Sequence, residues 1–291
     1  MNRNNFKRDI SIFFRLIRVQ LSLMVTISAM TGYFLTGSLP NVALIFLMAG
    51  VFLLAAGTSV LNQVQECRYD ALMKRTKQRP IPAGEISRPM ALLIALILIV
   101  AGAFLLRLIG WLPMTLGLSN VVFYNLIYTP LKTRSWLAII PGAMVGAVPP
   151  LIGWTSAGFN LFHLNALFIA TFVFLWQIPH FWLLMIKYGK EYELAGFSSI
   201  SKVLNQSQIK SVVFGWGVLT SLFLMLFPFF GFSLKPILIV ALILINFLFI
   251  TLFHRFLFQR DSPKTIRKAF ILINSYAVGV FLFLVINALI S

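Results

Sequence analysis

The sequence predicts an all-α, polytopic membrane protein with nine transmembrane helices in a single membrane-embedded domain over residues 1–291. Three observations carry this. Apolar residues make up 59% of the chain and charged residues 11%, against roughly 45–50% and 25% in soluble domains. A spanning helix needs about 20 mostly apolar residues, and such stretches recur at roughly 12–36, 41–66, 89–109, 111–131, 136–156, 162–187, 209–231, 236–255 and 267–290. With a cytoplasmic N-terminus, all of the 24 Lys and Arg except Arg107 and Lys235 fall on the cytoplasmic side, which is the positive-inside pattern. The C-terminus is then external. Topology and attraction to anionic lipid account for the net charge of +17, so nucleic acid is not an expected partner.

Taken in order, the first stretch follows a basic flank, Arg3 to Arg18, that anchors it inside. It is too long for a signal-peptide core and has no small-residue cleavage site, so it reads as a retained helix. The second ends in "NQVQECRYDALMKRTKQRPIPAG" at 62–84. Pro80, Pro82 and Gly84 close that segment as a fixed turn. The fourth closes with "FYNLIYTPLK". The fifth carries Gly142, Ala143, Gly146 and Ala147, a small-residue face suited to close helix packing, with a kink expected at Pro149 and Pro150. The sixth contains "WQIPHFW". The last three are plain apolar spans. The sizeable polar connections are 67–88, 188–208 and 256–266. One cysteine, Cys67, allows neither an internal disulfide nor a multi-cysteine metal site.

All seven acidic residues lie on the expected cytoplasmic side: Asp9, Glu66, Asp70, Glu85, Glu191, Glu193 and Asp261. A lone acid at a helix end is ordinarily a solvated cap. Asn62, Glu66 and Asp70, however, recur every fourth residue, so on a helix they form one row of oxygens about 12 Å long. Like charges at that spacing destabilise a helix, and a divalent cation reverses the penalty. Mg²⁺ is commonly held by one or two carboxylates plus substrate phosphates. The bases that follow, Lys74, Arg75, Lys77 and Arg79, suit a second anionic group. Together they read as a metal-bridged polyphosphate site; the alternative is that the bases simply neutralise the acids. "KYGKEYELAGF" at 187–197 repeats the theme more weakly, with Lys187 and Glu191 four apart.

Tyr124, Tyr128 and Lys132 share a face at the inner end of the fourth stretch, with Asn125 beside it. They serve either as an interfacial belt and anchor, or as cavity lining with Lys132 on a diphosphate. His180, flanked by Trp176, Phe181 and Trp182, is a haem ligand, a proton carrier or a hydrogen-bonded structural group.

"NQVQECRYDALMKRTKQRPIPAG" resembles the N-x-x-x-D/E-x-x-x-D signature of intramembrane prenyltransferases of the UbiA superfamily. Its continuation, "YTPLKTRSWLAIIPGAMVGAVPPLIGW" and "WQIPHFW" are similar to the branch that farnesylates protohaem IX, over about 15–285. The resemblance implies a nine-helix bundle around a central cavity, with 67–88 and 188–208 as cytoplasmic caps, in the cytoplasmic (inner) membrane if the source is bacterial. It implies transfer of farnesyl from farnesyl diphosphate to a vinyl group of protohaem IX, with hydration, to give haem O, with Mg²⁺ as cofactor. Carried over by position, Asn62, Glu66 and Asp70 match the catalytic metal-diphosphate motif. Arg75, Arg79, Lys132, Tyr124, Tyr128 and His180 fall at substrate positions, and Glu66, Asp70 and Glu191 at metal positions. One departure is that the second acidic motif reads Lys190-Glu191-Tyr192, where the family often has two adjacent aspartates. Haem-handling membrane proteins are the protein partners implied. A quinone-pathway prenyltransferase is the nearest rival reading, and a transporter of anionic metabolites the rival from another class.

Overall fold

The computed structural model describes residues 3–231, 236–259 and 263–290; Lys235 and Asp261 lie outside the described residues. Among the described residues all regular structure is helical: α1 (Arg3–Leu16), α2 (Val19–Phe34), α3 (Val42–Asp70), α4 (Arg88–Ile109), α5 (Trp111–Val122), a π-helical turn (Phe123–Tyr128), α6 (Thr129–Arg134), α7 (Ile139–Ser156), α8 (Leu164–Leu194), α9 (Gln206–Met225), α10 (Pro236–Phe258) and α11 (Pro263–Ile290). Seven helical segments are long and apolar enough to cross a membrane, and an eighth is gained if the bent pair α1–α2 counts as one span. Their outward faces carry exposed Leu93, Ile97 and Phe104 on α4 and Leu244 and Phe247 on α10. That is the surface of an integral, multi-pass membrane protein rather than of one that meets water all round.

Two of the nine expected stretches depart from the sequence reading. The first, 12–36, is not one helix: α1 and α2 meet at 52°, and Arg18 at the break has φ 48°, the one left-handed non-glycine residue among those described. The cause lies in α1. Arg8, Ser11 and Arg15 recur along one side and Ile10, Phe13, Phe14 and Ile17 along another, so α1 has a charged face that hydrocarbon will not accept. The chain turns, and only α2 continues inward. The other, 111–131, is helical without a gap but changes from α5 through the π turn to α6. In that wider register Thr129 N–H donates to Tyr124 O. The carbonyl of Asn125 would then need the amide of residue 130, which is proline and has none. Gln65 Nε2 donates to that carbonyl instead, at 3.0 Å.

Length explains where the chemistry sits. At 1.5 Å per residue α3 runs about 44 Å and α8 about 46 Å, while the hydrocarbon layer is about 30 Å. Each is therefore longer than that layer, and the last turns carry Asn62–Asp70 on one and Glu191 on the other. α3 starts on Asn41, whose side chain accepts from Ala43 N at 2.9 Å. α7 continues through Pro149 and Pro150. Among the α7 glycines it is Gly153, and not Gly142 or Gly146, that meets a neighbouring backbone: a Cβ placed on Gly153 would stand 1.7 Å from Ala29 O of α2. The largest apolar cluster joins α8 to α9, α10 and α11 through Phe172, Phe249 and Phe253.

Candidate active site

Asn62, Glu66 and Asp70 are 1%, 7% and 0% exposed. The row is therefore not a solvated cap; it faces α6 and the 67–88 segment. Asn62 Nδ2 donates to Thr129 Oγ1 at 3.1 Å. Lys132 Nζ, from α6, lies 2.6 Å from Glu66 Oε1. Arg79 reaches back from the cap to both carboxylate oxygens of Asp70, at 2.8 and 2.6 Å. Each acid thus receives a cation from a different segment, and the repulsion expected between like charges one turn apart is relieved by protein alone. The neutralising role of the bases, left open by the sequence, is the arrangement seen, although it falls to Arg79 and the distant Lys132 and not to Lys74 or Lys77.

The π turn sets Tyr124 edge-on to Tyr128, with ring centroids 5.2 Å apart. Lys132 Nζ lies 4.6 Å from the Tyr128 ring and 5.8 Å from that of Tyr124, close enough for cation–π attraction. Gly142 leaves the space that Tyr128 fills, since a Cβ there would be 2.7 Å from the Tyr128 ring. Beyond Tyr128 come Phe181, at 6.4 Å, and His180, whose ring sits among Trp176, Phe181 and Phe270 at 5.1, 5.5 and 4.9 Å. His180 Nδ1 is buried without a partner. A line of contacts therefore runs from Glu66 through Lys132, Tyr128 and Phe181 to His180.

A lid of two segments covers this end. Arg75 donates to Tyr192 Oη at 2.9 Å and lies 5.3 Å from the Tyr188 ring. Met73, Ala195 and Phe197 close an apolar seal with Tyr69 and Tyr192, and Ser198 N–H donates to Lys132 O at 2.9 Å. Gly196, with φ 90°, makes the turn that brings Phe197 back over Tyr69. Pro80 to Gly84 behave as the sequence suggests: Glu85 N–H donates to Pro80 O at 2.9 Å and Gly84 has φ 72°.

Glu191 is half-buried and its Oε2 has no partner. The expected Lys187–Glu191 pair is not made, because the Lys187 ammonium sits over the Tyr188 ring at 4.7 Å. Glu193 instead accepts from Ser201 Oγ. Among the described residues no three His, Cys, Asp or Glu side chains converge on a point that a metal ion could occupy, so Glu66, Asp70 and Glu191 do not form a ready-made cage. The donor set still fits Mg²⁺ of the kind bound with substrate phosphates: hard oxygen ligands, few in number, with an orphaned carboxylate oxygen on Glu191.

Sequence reasoning missed Thr129, Gln65, Tyr192 and Gln177. The amide of Gln177 fills the space beside Gly146, where a Cβ would stand 1.7 Å from its Nε2, and its Oε1 is buried without a partner. The Gly142/Gly146 spacing was therefore a signal for two inserted side chains, not for a neighbouring backbone. A glutamine inside an apolar run is itself costly enough to have marked the position.

Such a bundle, with acids and bases under a lid at one end, defines the class. Residues 24–283 match the UbiA prenyltransferase family, and the chain belongs to it. Solved structures share the fold: a digeranylgeranylglyceryl phosphate synthase has a TM-score of 0.78 at 16% identity, covering 98% of this chain and 100% of that one. A UbiA homologue from Archaeoglobus fulgidus bound to GPP and Mg²⁺ has a TM-score of 0.71 at 14% identity, covering 96% and 100%. More particularly, the chain is 42% identical over 181 residues to the protoheme IX farnesyltransferase of Geobacter sulfurreducens, covering 62% of this chain and 67% of that one. With the protein of the same name from Listeria monocytogenes it is 30% identical over 282 residues, 94% and 92% of the two. The matching stretch in Nitratidesulfovibrio vulgaris, 43% identical, spans 59% of that relative.

Proposed function

We propose that this protein transfers the farnesyl group of farnesyl diphosphate to a vinyl group of protohaem IX, with addition of water, giving haem O and diphosphate, and that Mg²⁺ is its cofactor. The observation that carries the reading is the buried Asn62–Glu66–Asp70 row, faced by Lys132 and Arg79 beneath the Arg75–Tyr192 lid. The names of its relatives supply the substrates.

Glu66, Asp70 and Glu191, with the Asn62 amide, are the residues that would hold Mg²⁺. The bound ion would draw off the charge that develops on the leaving diphosphate. Arg79 and Lys132 keep the carboxylates paired until the diphosphate arrives, then turn to its oxygens; Arg75 closes from the lid. Guanidiniums so placed stabilise charge as it grows and need no rearrangement in the transition state. The allylic C1–O bond breaks with its electron pair leaving on diphosphate. Tyr124 and Tyr128 present ring faces to the carbocation that remains. The vinyl π pair forms the new carbon–carbon bond, the porphyrin-side cation takes a water oxygen, and that water gives up a proton to solvent. His180 and Gln177, with unsatisfied polar atoms, would orient the porphyrin and the water.

In the membrane the chain forms nine spans around a central cavity, with α1–α2 contributing one and 111–134 another. The N-terminus and the lid lie in the cytoplasm and the C-terminus outside, in the cytoplasmic membrane of a bacterium. Incubation of the purified protein with protohaem, farnesyl diphosphate and Mg²⁺ tests the reading by mass spectrometry. The expected product is porphyrin heavier by one farnesyl group and one hydroxyl group. Unchanged haem, with prenylation of a phenolic acid supplied in its place, would sink it.

A further inference from the structure

We propose that the elbow between α1 and α2 is a binding site for the headgroup of an anionic phospholipid in the leaflet that α1 lies against. The corner encloses a cleft of about 640 Å³. Lys7, Arg15 and Arg18 supply its cations and Ile10, Phe14 and Leu21 its apolar wall. A cleft with charge on one side and hydrocarbon on the other matches one occupant, a molecule with a phosphate at one end and acyl chains at the other.

Three features favour a lipid in this place. The apolar side of α1 is uncovered, with Ile10, Phe13 and Phe14 at 39%, 41% and 48% exposure, as in helices that lie in the headgroup layer. That surface runs on into α2 through Leu21 and Met24, 40% and 57% exposed and one turn apart, so acyl chains can follow the span inward. The bend itself holds a guanidinium in the corner: Arg18 adopts φ 48°, a conformation that is unfavourable for a residue with a Cβ. Leu16 and Ile17, 0% and 3% exposed, and the bond from Gln63 Nε2 to Leu16 O fix that corner against α3. Among the described residues neither Lys7 nor Arg18 forms an ion pair with a carboxylate.

Arg15 ties the cleft to the lid. Its guanidinium bonds Glu85 at 2.9 and 2.7 Å and the Gln78 carbonyl at 3.1 Å. Gln78 precedes Arg79 in sequence. A phosphate drawn to Arg18 and Lys7 therefore settles beside the residue that steadies the segment carrying the Asp70 partner.

The test is native mass spectrometry of the delipidated full chain titrated with phosphatidylglycerol, and separately with phosphatidylcholine. The wild type is expected to prefer phosphatidylglycerol, and Lys7→Gln with Arg18→Gln to bind it about 30-fold more weakly, from roughly 1 kcal/mol per basic residue at an anionic surface. The exposed single change Lys7→Gln, expected to lose about 5-fold, stands in if the double variant does not fold. Equal affinity for the two lipids, or unchanged phosphatidylglycerol affinity in the variants, overturns the proposal. So does an equal loss on Lys202→Gln with Arg255→Gln, which removes the same charge elsewhere. Inorganic phosphate that binds the delipidated chain as tightly as the lipid, and displaces it, overturns the lipid as occupant.

Discussion

Replacing Arg79 by methionine keeps most of the side-chain volume and removes the guanidinium from Asp70. The Asp70 side chain is 1% exposed and that of Arg79 16%, so water cannot take over the two bonds. Removing one partner of a buried pair costs about 3–5 kcal/mol. Two charge-assisted bonds at about 1.5–3 kcal/mol each give a similar figure. The Glu66 carboxylate, one turn away, adds to the penalty. Arg79→Met is thus expected to destabilise the ligand-free protein by about 3–5 kcal/mol, measured as unfolding in mixed micelles by tryptophan fluorescence. Asp70→Asn in the same background removes the stranded charge and should recover most of that loss. A double-mutant cycle with coupling of about 2–3 kcal/mol or more is therefore expected. If Arg79→Met unfolds within about 1 kcal/mol of wild type, or Asp70→Asn recovers nothing, then the pair does not hold the lid segment to the acid row.

Lys132→Met strands Glu66 in the same way and should lower farnesyl transfer by about 10²–10³-fold, the usual loss for one group aimed at developing charge; steady-state kinetics with the folded variant measure it. With the proposed metal role, Glu191→Gln should weaken Mg²⁺ affinity, read as a higher Mg²⁺ concentration for half-maximal activity, with stability unchanged because Glu191 Oε2 has no partner to lose. Gly153→Ala forces Ala29 O, now 1.7 Å from the new Cβ, to move; overpacking of this kind costs about 1–3 kcal/mol, visible as a lower unfolding temperature. His180→Ala should shift the absorption spectrum of bound haem if the imidazole contacts the porphyrin, while an unchanged spectrum assigns it a packing role.

Much of the architecture was legible because a membrane span is declared by length and apolarity alone, and α3, α4, α8 and α10 fall where hydropathy puts them. The acid row was legible because spacing by four is a statement about one helix face. What escaped depends on contacts between segments. Hydropathy could not show that the first stretch breaks at Arg18, since the break reflects the charged side of α1 and not a loss of apolarity. The π turn was not foreseen, and only the structure shows the Asn125 carbonyl passing to Gln65 ahead of Pro130. Lys132 as the partner of Glu66 joins residues 66 apart in the chain, and no local pattern announces such a pair. Gly142 and Gly146 were read as a packing face because small residues serve either purpose, and what fills the space is decided by the opposite helix.

In the proposed reaction the Asn62–Glu66–Asp70 row grips a prenyl diphosphate through a divalent metal. Crystals grown with Mn²⁺ and a non-reactive thio analogue of farnesyl diphosphate test it most directly through the anomalous signal of the metal. A peak is expected between the Glu66 and Asp70 carboxylates, with Arg79 and Lys132 turned onto diphosphate oxygens. A ligand lodged elsewhere, with both ion pairs still closed, would contradict it.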